Sequence, residues 1–392
     1  MDRRRFLGSA TLLAAPRILF AKAATERRFI FIIQRGAADG LNTLIPYADP
    51  AYASARGALA IDPASALKLD GSFALHPSLS HLRTLYAAGQ ATLFHAVASP
   101  YRDRSHFDGQ NVLETGGSAP YQVKDGWMNR LLGVLPREGK EAIAFSPAVP
   151  MAFRGAVPVT SYAPSALPQA NEDLLMRVEQ LYARDGQLHA LWSSALEARG
   201  MAGGMGGGAN RQDAGALGRM AAGFLGRADG PRIAMIETGG WDTHSGQAAR
   251  LAAQLRNLDH MLAGLQEGLG PVWDQTVVLV ATEFGRTVAA NGTGGTDHGT
   301  GAMAMLVGGA VDGGRTVADW PGLSAANLLD GRDLREYDMD DLRANTGVIF
   351  QDFVRYHLTA AENIGVGLIE AMGDRARVEM AARKGMADEV VA

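Results

Sequence analysis

Phe29-Ile30-Phe31-Ile32-Ile33 runs directly into Gln34-Arg35-Gly36-Ala37-Ala38-Asp39-Gly40. Five consecutive large apolar residues, three of them β-branched, suit a strand covered on both faces rather than one with a wet side. The glycines and the Asp-Gly pair then stop the strand and turn the chain. Similar runs recur at Ala91–Ala98 (ATLFHAVA), Arg232–Glu237 (RIAMIE), Thr276–Thr282 (TVVLVAT) and Ala302–Val307 (AMAMLV). Helical patterns separate them, at about 78–88, 105–114, 173–197, 212–225 and 247–265, with another near 340–357. Strands alternating with helices predict an α/β fold: a doubly wound, mostly parallel central sheet flanked by helices. Such sheets bind their ligands beyond the carboxyl ends of the strands.

The composition agrees with this class. Of 392 residues 47% are hydrophobic and 20% charged, enough apolar matter for a large core and too much for a disordered chain. The formal net charge of -4 gives no global electrostatic reason to bind nucleic acid or an anionic membrane. The absence of cysteine excludes disulfides, thiol nucleophiles, iron–sulfur clusters and thiolate zinc sites. Any metal must then be held by oxygen and imidazole.

Residues 1–24 read as an export signal. Arg3, Arg4 and Arg5 precede the apolar stretch Phe6–Ala15, and Ala21-Lys22-Ala23 resembles a cleavage site. The order Arg-Arg-Arg-Phe-Leu resembles a twin-arginine signal, so the twin-arginine export machinery is an expected partner and the periplasm or exterior the expected location. An ordinary secretory signal is the alternative. No later segment reaches the length of a membrane span. Residues 25–392 are drawn as one domain, with a Pro-, Gly- and Ser-rich insertion near 116–170 that carries a short amphipathic helix at Trp127–Leu135. The Gly-rich stretch 200–208 is read as a linker.

Chemistry-bearing side chains fall just after the strands. Asp39 follows the first and Ser105 and His106 the second; Asp242 and His244 follow the third and Glu283 the fourth, and Asp297 and His298 lie in the glycine-rich loop just after it. In a parallel sheet all would meet at one rim. Each also has a plainer explanation. Asp39 could serve only the Asp-Gly turn, and Asp242 or Thr243 could cap the helix near Gln247. Glu283 could pair with Arg286 in its own turn, and Ser105 with Asp108 makes a variant capping box. Capping does not preclude catalysis. A serine at a helix start, beside Arg102 and Arg104, stands where free backbone amides attract anions. His106 is either a further ligand or a general acid. His76, His81, His95, His189, His260 and His357 are explained by packing.

Taken together, RGAADGLNTLIPY (Arg35–Tyr47), RSHFDGQNVLETG (Arg104–Gly116), GGWDTH (Gly239–His244), TEFGRT (Thr282–Thr287) and TDHG (Thr296–Gly299) resemble the domain-of-unknown-function 1501 family. The resemblance runs over nearly the whole chain after residue 24. That family is grouped with the alkaline-phosphatase-like superfamily of phosphatases, sulfatases and cofactor-independent phosphoglycerate mutases. The resemblance therefore implies an alkaline-phosphatase-like sheet with a metal site at the strand ends. It places Asp39 at the first metal aspartate, Ser105 at the nucleophile, Asp242 and His244 at the middle acid–histidine pair, and Glu283, Asp297 and His298 at later ligand positions. This sequence departs from the superfamily pattern in having only Thr243 between Asp242 and His244, Glu283-Phe284 in place of Asp-His, and no sulfatase-type Cys/Ser-x-Pro-x-Arg.

The resulting expectation is an exported hydrolase of phosphate or sulfate esters. One or two divalent ions would be held by Asp39, Asp242, His244, Glu283, Asp297 and His298. Ser105 would attack, with His106 and the arginines Arg102, Arg104 or Arg286 attending a small anionic ester or polymer-derived substrate. Mixed carboxylate and imidazole ligands favour zinc or manganese, and a carboxylate-dominated set would favour calcium or magnesium. The alternative is a catalytically idle member that binds a surface polymer or partner protein.

Overall fold

A computed structural model describes residues 26–135, 141–163, 213–320 and 322–323, with isolated positions at 178, 181–182, 185, 188–189, 192 and 375. The expected export signal, the Gly-rich stretch 200–208 and the helix near 340–357 lie outside the described residues. So does most of the helix expected at 173–197. The chain divides into two compact units, Met1–Ser324 and Ala325–Ala392. Arg375 is the one described residue of the second unit, and the strands and helices named here belong to the first.

In chain order the elements are β1 (Arg28–Gln34), α1 (Gly40–Thr43), β2 (Leu44–Ile45), α2 (Tyr52–Arg56), β3 (Leu67–Lys68), β4 (Ala74–Leu75), α3 (Ser80–Ala87) and β5 (Ala91–Val97). They continue as α4 (His106–Thr115), α5 (Trp127–Val134), β6 (Ala142–Phe145), β7 (Thr160–Ser161), α6 (Ala214–Leu225), β8 (Ile233–Thr238), α7 (Gln247–Leu269), β9 (Thr276–Ala281), β10 (Ala302–Val307) and β11 (Arg315–Val317). The main sheet has the order β11-β5-β10-β9-β1-β8-β6-β7, and β2, β4 and β3 form a small separate sheet.

The apolar run Phe29–Ile33 lies in a central strand. β1 pairs in parallel with β8 on one side and β9 on the other. Its alternate side chains enter different cores. Ile30 and Ile32 pack with Leu82 of α3, Phe224 of α6 and Leu255 of α7. Phe31 and Ile33 pack with Met128 and Leu132 of α5. All of these side chains are almost wholly buried, and each contributes about 1.5–3 kcal/mol of burial free energy. Both faces are covered, as the doubly wound α/β reading requires.

Two features are not visible in the apolar pattern. β6 and β7 lie within the stretch read as an insertion, yet they extend the main sheet in parallel beyond β8. Short strands without a period give little sequence signal. The other is the direction of β10, which runs antiparallel between β9 and β5. Because it does, the chain from the end of β9 at Ala281 to the start of β10 at Ala302 never leaves the carboxyl rim. A parallel β10 would have required a crossover to the opposite edge. The loop 282–301, which carries Glu283, Arg286, Asp297 and His298, is held at the rim by this reversal.

Candidate metal centre at the carboxyl rim

The rim loops are tied to one another by their backbones. In loop 282–301, Thr287 N donates to Asp297 O at 2.9 Å and Gly299 N to Gly285 O at 2.8 Å, so Arg286 and His298 stand opposite each other as a bridged pair. Gly246 N and Gln247 N, at the start of α7, donate to Thr293 O and Gly294 O. The helix is thus capped by this loop, not by Asp242 or Thr243; its N-cap residue, Gly246, makes no side-chain cap bond. Gly36 has φ +119°, and a Cβ there would lie 2.6 Å from Asp242 N, so only glycine lets the end of β1 approach the Asp242 loop. At Gly295 a Cβ would lie 2.3 Å from the His244 backbone. The glycine-rich loop is required by close packing.

His106, Asp242 and His298 each present one ligand atom, and these atoms lie within 4.8 Å of one another. Asp242 carboxylate oxygens lie 3.6 Å from both His106 Nε2 and His298 Nε2. His244 adjoins the group, its Nε2 being 3.1 Å from Asp242 Oδ1 and 3.0 Å from His298 Nε2. The three imidazoles come from three segments of the chain.

The partners on the far side of each ring assign its protons, because a carbonyl or an ionised carboxylate only accepts. His106 Nδ1 donates to Glu283 Oε1 at 2.8 Å. His298 Nδ1 donates to the Arg104 carbonyl at 2.9 Å. His244 Nδ1 faces Asp297 Oδ1 at 3.4 Å. Each Nε2 is then turned inward. That of His106 is buried without a hydrogen-bond partner among the described residues, and those of His244 and His298 lie 3.0 Å apart, close enough for one proton to join them. Metal-bound histidines in general give their other ring nitrogen to a carboxylate or carbonyl in this way.

The charges around the group are biased toward keeping its acids ionised. Burial opposes ionisation of Asp242, but Arg286, His244 and His106 hold its carboxyl below the usual range. Glu283 is likewise held low against its burial, by hydrogen bonds from His106, Gln110 and Gly36 N. Asp297 is lowered first by its hydrogen bond from Asn291. Burial, then the neighbouring His106, pushes His298 down, which favours its neutral, ligating form.

The other expected site residues have different surroundings. Asp39 is buried behind this group: Oδ1 accepts from Asn42 N at 3.1 Å, and Oδ2 meets the guanidinium of Arg56 and the amide of Gln247. It is not in the group of His106, Asp242 and His298 whose ligand atoms converge. Arg286 does not pair with Glu283 in its own turn. It donates through Nη2 to Asp242 Oδ1 at 2.7 Å, with its side chain fully buried and Nε and Nη1 without partners. It therefore steadies Asp242 from within the protein. Ser105 is the N-cap residue of α4, but its hydroxyl makes no cap bond. The capping box with Asp108 is absent: Asp108 Oδ2 accepts from Tyr101 Oη at 3.4 Å, and Tyr101 Oη accepts from Ser105 N at 3.0 Å. Among the described residues the hydroxyl makes no hydrogen bond. Arg104 is exposed and takes φ +60°, a conformation that turns its carbonyl to His298. Sequence reasoning did not single out Arg56, Gln110 or Gln247. The sole signal for Gln110 was its position one helical turn after His106.

An α/β protein with an imidazole–carboxylate centre at the carboxyl rim of its sheet is the class that fold and site define. The chain belongs to the family described as "Protein of unknown function (DUF1501)", which matches residues 26–345. No curated protein matches it. Among solved structures it is similar to the zinc complex of the C-terminal periplasmic domain of EcEptC from Escherichia coli, at 9% identity over 73% of each chain with a TM-score of 0.35. It is also similar to phosphonate monoester hydrolase of Agrobacterium radiobacter, at 12% identity over 74% of this chain and 70% of that one, TM-score 0.34. A mutant of TAB5 alkaline phosphatase with Mg bound is matched at 12% identity over 74% of this chain and 94% of that one, TM-score 0.34. Likeness at this level decides nothing about the chemistry of this chain.

Proposed function

We propose that the protein is a metal-dependent hydrolase of phosphate or sulfate esters, exported by a twin-arginine route, with Ser105 as nucleophile. The observation that carries the reading is the convergence of His106, Asp242 and His298 with the Nε2 of His106 buried and unpartnered. A polar atom so placed is costly unless something outside the protein satisfies it. His106, Asp242, His298 and the adjoining His244 would hold a divalent ion. Three imidazoles and one carboxylate suit zinc, with manganese next; the hard ions calcium and magnesium prefer all-oxygen sites. When bound, such an ion offsets the negative charge that develops on a transferring phosphoryl or sulfuryl group.

The chain's own groups supply the rest. Ser105 Oγ has no cap bond to give up and stands at the amino end of α4, where the helix favours an anion. Its oxygen would bond to the phosphorus or sulfur as the bond to the ester oxygen breaks; the serine proton would pass to solvent and the departing oxygen would take one from solvent. Water would then attack the same phosphorus or sulfur, releasing the acid and returning a proton to Ser105. Arg104 and Arg102 lie exposed beside that end of the helix and would attract the anionic substrate, while Arg286 keeps Asp242 ionised and oriented.

Ser105→Ala should abolish ester hydrolysis and leave metal content intact, measured with generic phosphate and sulfate esters and elemental analysis of the same sample. Unchanged turnover would remove Ser105 from the role. A second reading, an idle member that binds a surface polymer or partner, is favoured by the commitment of Asp39 to Arg56 inside the protein. Protein purified without chelator and free of stoichiometric divalent metal would make that reading the better one.

A further inference from the structure

Glu283 ends an apolar strand and its side chain is completely buried, the setting in which an acid is read as a metal ligand. Its hydrogen bonds point elsewhere. Oε1, the oxygen that faces the rim, accepts from Gly36 N at 2.8 Å, His106 Nδ1 at 2.8 Å and Gln110 Nε2 at 3.1 Å. Three donors leave that oxygen no lone pair for an ion. Oε2 lies at 3.0 Å from Thr282 Oγ1, whose hydroxyl is also 2.7 Å from the Gln34 carbonyl.

The donor set is itself held in place. Gln110 can offer its amide nitrogen to Glu283 because its oxygen accepts from Arg35 Nη1 at 2.8 Å. Arg35 is fixed in turn between Glu114 and Glu237. A chain of charged and polar groups behind the rim therefore sets which way Gln110, Glu283 and finally His106 face.

From these contacts we infer that Glu283 is a positioning residue: it accepts the Nδ1 proton of His106 and so directs the bare Nε2 of that ring toward Asp242 and His298. The inference rests on the proposed metal centre, and it removes Glu283 from the ligands while adding His106 to them. The chemistry it requires of residue 283 is an acceptor oxygen at the Oε1 position, not a negative charge bound to metal.

This distinguishes two substitutions. In Glu283→Gln the amide oxygen replaces Oε1 and the amide nitrogen can face Thr282 Oγ1. The His106 tautomer should be retained and zinc affinity should stay within about tenfold of wild type. In Glu283→Leu the acceptor is gone, and zinc affinity should fall by about 10- to 100-fold, the usual effect of losing such an outer partner. The readouts are zinc titration and ¹⁵N spectroscopy of histidine-labelled full-length protein, with the His106 signal assigned by His106→Asn. Zinc-free wild type should carry the His106 proton on Nδ1. A proton on Nε2, or loss of zinc from Glu283→Gln as complete as from Asp242→Asn, would overturn the assignment. The wild-type spectrum and Glu283→Gln decide the matter even if Glu283→Leu does not fold. Zinc titration of wild type tests the metal centre by itself, so failure of the centre and failure of the Glu283 role are told apart.

Discussion

Asp39 and Asp242 occupy equivalent places, each just beyond the carboxyl end of a strand, on the adjacent strands β1 and β8. Each is paired with a buried arginine, but their exposure differs. Asp39 is 1% exposed, and the protein supplies its counter-charge from Arg56, itself fully buried, with Gln247 as a further donor. The side chain of Asp242 is 45% exposed; Oδ1 accepts from the buried Arg286, and the Nε2 atoms of His106, His244 and His298 lie within 3.6 Å of the carboxylate. One corner of the rim is closed by an internal cation. The other also has an internal cation, Arg286, but stays open to solvent and sets three imidazoles beside its carboxylate. The difference shows that an acid at a strand end is not informative until the residue that neutralises it is known.

The largest way to break this comparison is to remove the internal cation. Arg56→Met leaves Asp39 buried and unpaired, and should cost about 3–5 kcal/mol of stability in chemical denaturation, as broken buried ion pairs do. A loss below about 1 kcal/mol would mean that Asp39 has solvent or another cation to turn to. An intermediate effect comes from acid. His76 and His95, near Asp39, are pushed by burial down to about 4. Unfolded histidine titrates at about 6.5, so between the two values the unfolded chain binds more protons. Stability should be full above about pH 6.5 and fall as the pH drops toward 4, by roughly 3 kcal/mol per histidine once both are charged. His95→Gln should flatten that profile, since a neutral amide has no proton to gain; an unaltered profile would reject burial of neutral His95 as its source. The smallest effect belongs to the open corner. Asp297 is 63% exposed and 3.4 Å from His244 Nδ1, so Asp297→Asn should weaken zinc binding by less than about tenfold, at the low end for an outer partner. A larger loss, read by the same titration, would make Asp297 a direct ligand.

Much of the fold was legible because periodicity and burial are local in the chain. The run Phe29–Ile33 announced a doubly covered strand and is one. The helix expected at 247–265 extends to Leu269. Ser105 begins its helix as read, without the capping bond that its spacing to Asp108 suggested. The pairing of the site side chains was not legible. Glu283 has Arg286 three residues away, yet it is bonded to His106, 177 positions distant in the chain, and Arg286 to Asp242. No spacing rule carries that information, because the choice depends on which loops the sheet brings together. The short strands β6 and β7 were hidden for a related reason: four and two residues show no period until a neighbouring strand supplies the register.

By itself the sequence determined the inventory: a cysteine-free α/β chain whose acids, histidines and helix-starting serine follow its strands, so that any metal must be held by imidazole and carboxylate. The tertiary structure decided the roles. Hydrogen-bond direction and burial belong to the assembled rim, where the antiparallel β10 keeps loop 282–301 beside α4 and the Asp242 loop. There Arg56 reaches Asp39 first, Glu283 takes the Nδ1 proton of His106, and His106, Asp242 and His298 are left facing one another.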